Sequence, residues 1–97
     1  NSLAGKRVKI LFGALKRKDY SGMLQTLQAG LPEAELILTT FHYGEVVAQG
    51  DRQDLPYVAD YKAYIKEFMD QSPSDEVLFV TGSLYFIAEV RAFLLEG

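Results

Sequence analysis

Three short runs of branched apolar residues, each followed by a segment of helical periodicity, constrain this 97-residue chain more than any other feature. Val8 to Phe12 (V-K-I-L-F) is stopped by Gly13 and reads as a mostly buried strand. Asp19 suits a helix N-cap, and Tyr20, Met23, Leu24, Leu27 and Leu31 recur at helical spacing until Pro32 forbids continuation. Glu35 to Phe41 (E-L-I-L-T-T-F) is the second run. Asp54 can cap the next helix, with Pro56 in its first turn, and Val58, Tyr61, Tyr64, Ile65, Phe68 and Met69 form one apolar stripe that Ser72-Pro73-Ser74 ends. Glu76 to Val80 (E-V-L-F-V) is the third run. Thr81-Gly82-Ser83 is a tight bend, and Leu84, Ile87, Val90, Arg91 and Leu94 carry a last helical rhythm toward Gly97. The order βαβαβα predicts an α/β domain with parallel strands, right-handed crossovers and helices on both faces of the sheet. The polar stretch from His42 to Asp54 is too long for a simple turn and is expected to be a functional or variable loop.

What the chain lacks narrows its chemistry. Zero cysteines exclude a disulfide framework, a Cys-ligated metal and a cysteine nucleophile, and the single His42 excludes a site that needs two. With 48% apolar residues, six tyrosines and six phenylalanines, one core of ordinary size can form. No apolar run approaches the roughly 18 residues of a membrane span, and no basic n-region precedes an apolar h-region, so a cytoplasmic location is expected. Residues 1–18 hold six cations and no acid, whereas the rest of the chain holds 4 basic and 13 acidic groups. That asymmetry reads either as a solvated face or as one positive edge turned toward an anionic ligand.

Ligands of open parallel sheets sit at the carboxyl ends of the strands, so the segments after Phe12, Phe41 and Val80 are where chemistry is expected. Thr81-Gly82-Ser83 leads a strand straight into a helix, which aims backbone N–H groups and the positive end of the helix dipole at one point. The turn is a seat for a carboxylate or phosphate, or else Gly82 only makes the bend and Ser83 only caps the helix. No G-x-x-x-x-G-K-[ST] and no G-x-G-x-x-G occurs, so the known phosphate loops are missing. His42 has no companion ligand and reads as an ordinary loop histidine. Tyr57, Tyr61 and Tyr64 read as one packed helix face.

The segments I-L-F-G-A-L-K-R-K-D-Y, L-I-L-T-T-F and above all V-L-F-V-T-G-S-L-Y-F-I-A-E-V-R resemble the C-terminal domain of folylpolyglutamate synthase, also called bifunctional dihydrofolate synthase, in the Mur ligase superfamily. F-H-Y-G-E-V and D-L-P-Y-V-A-D-Y look most like the versions in lactic-acid bacteria and streptococci. The resemblance implies a Rossmann-like Mur ligase C-terminal domain, with parallel strands near 8–12, 35–41 and 76–80, spanning residues 1–97 as a single N-terminally truncated domain. Family enzymes use ATP and Mg²⁺ to activate a folate or pteroate carboxylate as an acyl phosphate, which the amine of L-glutamate attacks. By resemblance, Ser83 and Tyr85 fall on positions associated with the incoming glutamate. Lys18 and Asp19 match the family's Lys-Asp pair and are expected in an interdomain loop, while Arg17 stands where Asp is commoner.

The same resemblance sets limits. The family's P-loop, Mg²⁺ ligands and most of the folate pocket lie in an N-terminal ATPase domain, the implied partner, and its Asp-Gly-Ala-His-Asn-Pro segment has no counterpart here. The chain alone is therefore expected to be inactive and to hold neither ATP nor a metal. The missing first strand of the family is expected beside Val8 to Phe12, and its loss leads either to closing up of the remaining strands or to self-association of the truncated domain. Nothing in the sequence points to nucleic acid or membrane. The rival reading is a free-standing small α/β ligand-binding or regulatory module with the same topology.

Overall fold

A computed structural model describes residues 6–15, 20–42, 54–71 and 74–96. Strands β1 (Arg7–Gly13), β2 (Glu35–Thr39), β3 (Tyr57–Val58) and β4 (Glu76–Gly82) form one parallel sheet in the order β3-β2-β1-β4. Helices α1 (Tyr20–Gly30), α2 (Tyr61–Gln71) and α3 (Leu84–Glu96) pack on its two faces. The α/β class, the parallel strands and the two-sided layering agree with the sequence. No helix of the described residues is long and apolar enough to cross a membrane.

Alternation along β1 divides the core. Ile10 and Phe12 face Leu24 of α1, together with Leu36 and Leu38 of β2. Leu11 faces the other way, into a cluster with Ile37, Tyr61 and Ile65 of α2, and Phe86 and Val90 of α3. A strand buried on both faces needs apolar residues at consecutive positions, which is why V-K-I-L-F is a near-continuous run.

Two expectations are corrected. Asp54 does not cap a helix, and Pro56 and Val58 do not belong to one. Pro56 instead accepts a hydrogen bond from the Leu38 N–H at 2.8 Å, and the Thr39 hydroxyl donates to the Val58 carbonyl at 2.6 Å, so Tyr57 and Val58 lie along β2 as a fourth, edge strand. The helix begins at Tyr61 with Asp60 as its cap, Asp60 Oδ1 accepting from the Ala63 N–H at 3.1 Å. Second, Tyr57 sits on β3, apart from Tyr61 and Tyr64 on α2, so the three tyrosines do not share a helix face. Of the two outcomes expected for a missing strand beside β1, the structure has the closing up of the remaining strands, with β1 paired along one side with β2 and along the other with β4. The second run also leaves the sheet at Thr39, although Phe41 stays buried in the core. The Asp19 cap and most of the 42–54 loop lie outside the described residues.

At the carboxyl end of the sheet β1 and β4 come unusually close. Gly82 has φ +124°, a conformation essentially restricted to glycine, and a Cβ there would collide with the Gly13 carbonyl. A Cβ on Gly13 would meet the Phe86 ring at 2.7 Å. Gly82→Ala is therefore expected to lower unfolding stability by about 1–3 kcal/mol from backbone strain alone, with the collision adding to it. Gly30→Ala, with open space where the methyl would go, is the control and is expected to be neutral or to stabilise by up to about 1 kcal/mol. Urea denaturation of the two variants checks both values.

Candidate functional site

The turn after β4 is fixed by the fold before any ligand is considered. The Ser83 N–H donates to the Gly13 carbonyl at 2.8 Å, tying the start of α3 to the end of β1. Ser83 Oγ accepts from the Tyr85 N–H at 3.2 Å, and the Ser83 carbonyl accepts from the Ile87 N–H at 3.0 Å, so Ser83 is the N-cap of α3. Both plain roles read from the sequence, a glycine bend and a serine cap, are therefore realised. They also commit two of the turn's backbone donors to the protein. The Ser83 hydroxyl proton remains for a ligand, beside the positive end of α3 and its first turn, which carries no acid. Tyr85 projects from that first turn with about half its surface exposed. Thr81 borders a shallow groove of about 220 Å³ with Phe12, Met23, Thr26 and Leu27. Thr81, Gly82, Ser83 and Tyr85 thus share one end of the sheet, whereas Lys18 and Asp19 lie outside the described residues.

A second constellation at the same end was not found by sequence reasoning. Glu89 of α3 accepts a hydrogen bond from the Tyr61 hydroxyl with one oxygen and from the His42 backbone N–H at 3.1 Å with the other. The His42 imidazole Nδ1 lies 3.6 Å from the same carboxylate. Phe86 packs beneath, with ring centroids 5.2 Å from Phe41 and 5.4 Å from Tyr61. One carboxylate thereby pins the chain leaving β2 to the starts of α2 and α3. Beside it, Thr40, Phe41, His42, Ala59, Asp60, Tyr61 and Lys62 line a cavity of about 330 Å³. Its polar groups are largely engaged: Asp60 caps α2, and the Lys62 ammonium sits over the Phe93 ring at 5.7 Å. The three members 42, 61 and 89 are far apart in sequence, and only the pairing order and the crossover of α2 bring them together.

Among the described residues, the cations of the basic start are engaged at the end of the sheet opposite the turn. Arg7 reaches Asp75 at 3.4 Å and Glu76 at 3.6 Å, and Lys9 reaches Glu76 at 3.3 Å, all at the amino end of the sheet and away from the turn. Burial works to lower the Lys9 pKa, but its hydrogen bond to Glu76 and the neighbouring Tyr64, Glu76 and Glu35 outweigh it and hold the ammonium above the ordinary lysine value. Lys16, Arg17 and Lys18 lie outside the described residues.

With this geometry in place, comparison with known proteins gives one clear likeness. The chain is similar to a dihydrofolate synthase/folylpolyglutamate synthase. That protein, from Bacillus subtilis (strain 168), is 29% identical over 98 residues, covering 91% of this chain and 21% of the relative. The chain thus spans about a fifth of the length of the relative it matches, and the likeness supports a ligase-type domain with the parallel α/β fold seen here. No family model and no solved structure matches the chain.

The Tyr61–Glu89 contact has a measurable consequence. Burial first, and then the hydrogen bond to Glu89, push the Tyr61 phenol well above its usual value of 10.0, and burial raises Tyr64 as well. Because the folded phenol keeps its proton to higher pH than the unfolded one, its contribution to stability is complete below pH 10 and is lost as pH rises beyond that value. Ultraviolet titration is expected to show Tyr61 ionising only with alkaline unfolding. Tyr61→Phe is expected to remove this late component and to cost about 1–2 kcal/mol at neutral pH, since Glu89 loses its hydroxyl donor.

Proposed function

We propose that this chain is a domain of an ATP-dependent ligase that adds L-glutamate to folate or dihydropteroate, and that the turn Thr81–Gly82–Ser83 with Tyr85 contributes to glutamate binding. The observation that carries this reading is a coincidence of position. The residues that the resemblance associates with glutamate are those that cap the helix at the carboxyl end of β4, where a parallel sheet presents donors to an anion. The likeness to the Bacillus dihydrofolate synthase/folylpolyglutamate synthase, over 91% of the chain, supports the same substrate class.

In this reading the Ser83 hydroxyl donates to the glutamate carboxylate, with the Tyr85 hydroxyl beside it, and the α3 dipole favours the negative charge. ATP and Mg²⁺ supply acyl-phosphate activation from the N-terminal ATPase domain of the longer, cytoplasmic enzyme. Among the described residues no three His, Asp or Glu side chains converge, so no step is assigned to a metal held there. The resemblance assigns Lys18 and Asp19 to contact with the ATPase domain. The chain by itself performs no ligation, because phosphoryl transfer needs a cradle and a metal that these residues do not supply.

The carboxylate is charged before and during reaction, so the turn stabilises ground and transition states alike. In the longer ligase Ser83→Ala and Tyr85→Phe are expected to raise KM for glutamate and leave kcat and KM for ATP nearly unchanged. With about 1.5–3 kcal/mol for a hydrogen bond to a charged group, kcat/KM falls by about one to two orders of magnitude. Steady-state kinetics with glutamate and ATP varied separately checks this; an effect confined to ATP overturns the assignment. Turnover by the 97-residue chain above that of its Ser83→Ala variant overturns its expected inactivity.

A further inference from the structure

Ser83 and Tyr85 stand at the start of α3, so where they point depends on how α3 is oriented. Apolar burial alone specifies that orientation weakly. Leu84, Ile87 and Leu94 on the outer flanks are as apolar as Phe86, Val90 and Phe93 on the inner side, and the hydrophobic effect has no direction with which to choose between them. Phe86, seated against Gly13, anchors the helix near its first turn, together with the Ser83 N–H on the Gly13 carbonyl.

One charge stands on the inner side of this apolar helix. The Glu89 side chain is only 23% exposed, and a carboxylate drawn that far from water needs hydrogen-bond partners. Each of its oxygens has one: the His42 backbone N–H at 3.1 Å donates to the first, and the Tyr61 hydroxyl donates to the second. These bonds are directional, whereas the ring contacts of Phe86 with Phe41 and Tyr61 tolerate sliding. Glu89 is thus a second anchor, six residues after Ser83 and about 9 Å along the helix. Side chains lie about 5 Å from a helix axis, so a change of about 10° in orientation moves their atoms by about 1 Å. A misplacement of that size costs up to about 100-fold.

We propose that Glu89 is a positioning residue for the glutamate turn: by holding the Tyr61 hydroxyl and the His42 backbone it sets the orientation of α3, and so aims the Ser83 hydroxyl and the Tyr85 side chain at the ligand carboxylate. The inference rests on the ligase reading above. What the site uses is the place of Glu89 and not its charge, because a negative charge within roughly a Debye length of Ser83, about 8–10 Å, works against an anion bound there. Glutamine in its place keeps both contacts, its carbonyl accepting from the His42 N–H and its amide donating to the Tyr61 oxygen; alanine keeps neither.

In the longer ligase, Glu89→Ala is expected to raise KM for glutamate by about three- to tenfold with kcat and KM for ATP nearly unchanged, and Glu89→Gln to leave all three at or near their starting values. Glu89→Asp keeps the charge but is too short to reach both donors, so it is expected to behave as Glu89→Ala and serves in its place if the alanine variant does not fold by circular dichroism. His42→Ala, which keeps the backbone donor and removes a ring that is 91% exposed, is expected to be neutral. Because the effect passes through the turn, Glu89→Ala added to Ser83→Ala is expected to raise KM for glutamate no further. Equal losses in the Gln and Ala variants, a further rise on the Ser83→Ala background, or an effect confined to kcat or to ATP overturns the positioning role. If Ser83→Ala raises KM for glutamate while Glu89→Ala and Glu89→Asp do not, this inference alone fails. If Ser83→Ala itself leaves KM for glutamate unchanged, the ligase reading of the turn fails and this inference with it.

Discussion

The hydrogen bond from the Ser83 N–H to the Gly13 carbonyl is the contact on which the arrangement of this domain turns. It joins the end of the central strand to the start of the last helix, and it forms only because two glycines let the backbones meet. Gly82 takes a φ of +124° that a side chain would strain, and Gly13 leaves room for the Phe86 ring. Phe86, fully buried, then fixes where α3 lies on the sheet; truncating such a residue typically costs about 3–5 kcal/mol. The turn that carries Ser83 and Tyr85 is thus placed by packing rather than by a loop of its own.

From that junction the polar network at the same end follows. With α3 fixed by Phe86, Glu89 reaches both Tyr61 and the chain leaving β2, and the aromatic rings of Phe41, Tyr61 and Phe86 dry the contact. A partly buried carboxylate with a phenol and a backbone donor is well satisfied, and among the described residues no buried side-chain polar atom is left without a partner. The ion pairs of Arg7 and Lys9 with Asp75 and Glu76 differ in kind. The Arg7–Asp75 pair is solvent-facing and contributes little to stability, the Lys9–Glu76 pair is more shielded, and together they orient the amino ends of β1 and β4.

Much of this was legible in the sequence because it rests on local rules. Continuous apolar runs gave β1, β2 and β4 to within two residues, and the proline after Leu31 and the glycine after Thr81 marked real boundaries. β3 was not legible: two residues carry no periodicity, and its pairing comes from Pro56 meeting Leu38 and Val58 meeting Thr39 across a sequence gap. Strand order was equally hidden, since the apolar pattern of β4 is that of a central strand while its place is at the edge. For the site, the bend and cap at Gly82 and Ser83 followed from residue type, but the engagement of the Ser83 N–H by Gly13 and the whole of the Glu89 cluster required the tertiary structure.

These features converge on the carboxyl end of the sheet, where the proposed function has two places to consider for a small anion: the α3 cap at Ser83, and the cavity over Asp60 and Lys62. The Asp60 carboxylate and the engaged Lys62 ammonium disfavour the second, which is why we propose the α3 cap as the seat. Titrating L-glutamate into the isotopically labelled chain and following amide resonances by NMR tests this most directly. The account predicts millimolar, saturable shifts centred on Thr81 to Tyr85 that Ser83→Ala abolishes; shifts centred on Thr40 to His42 and Asp60 to Lys62, or none at all, would contradict it.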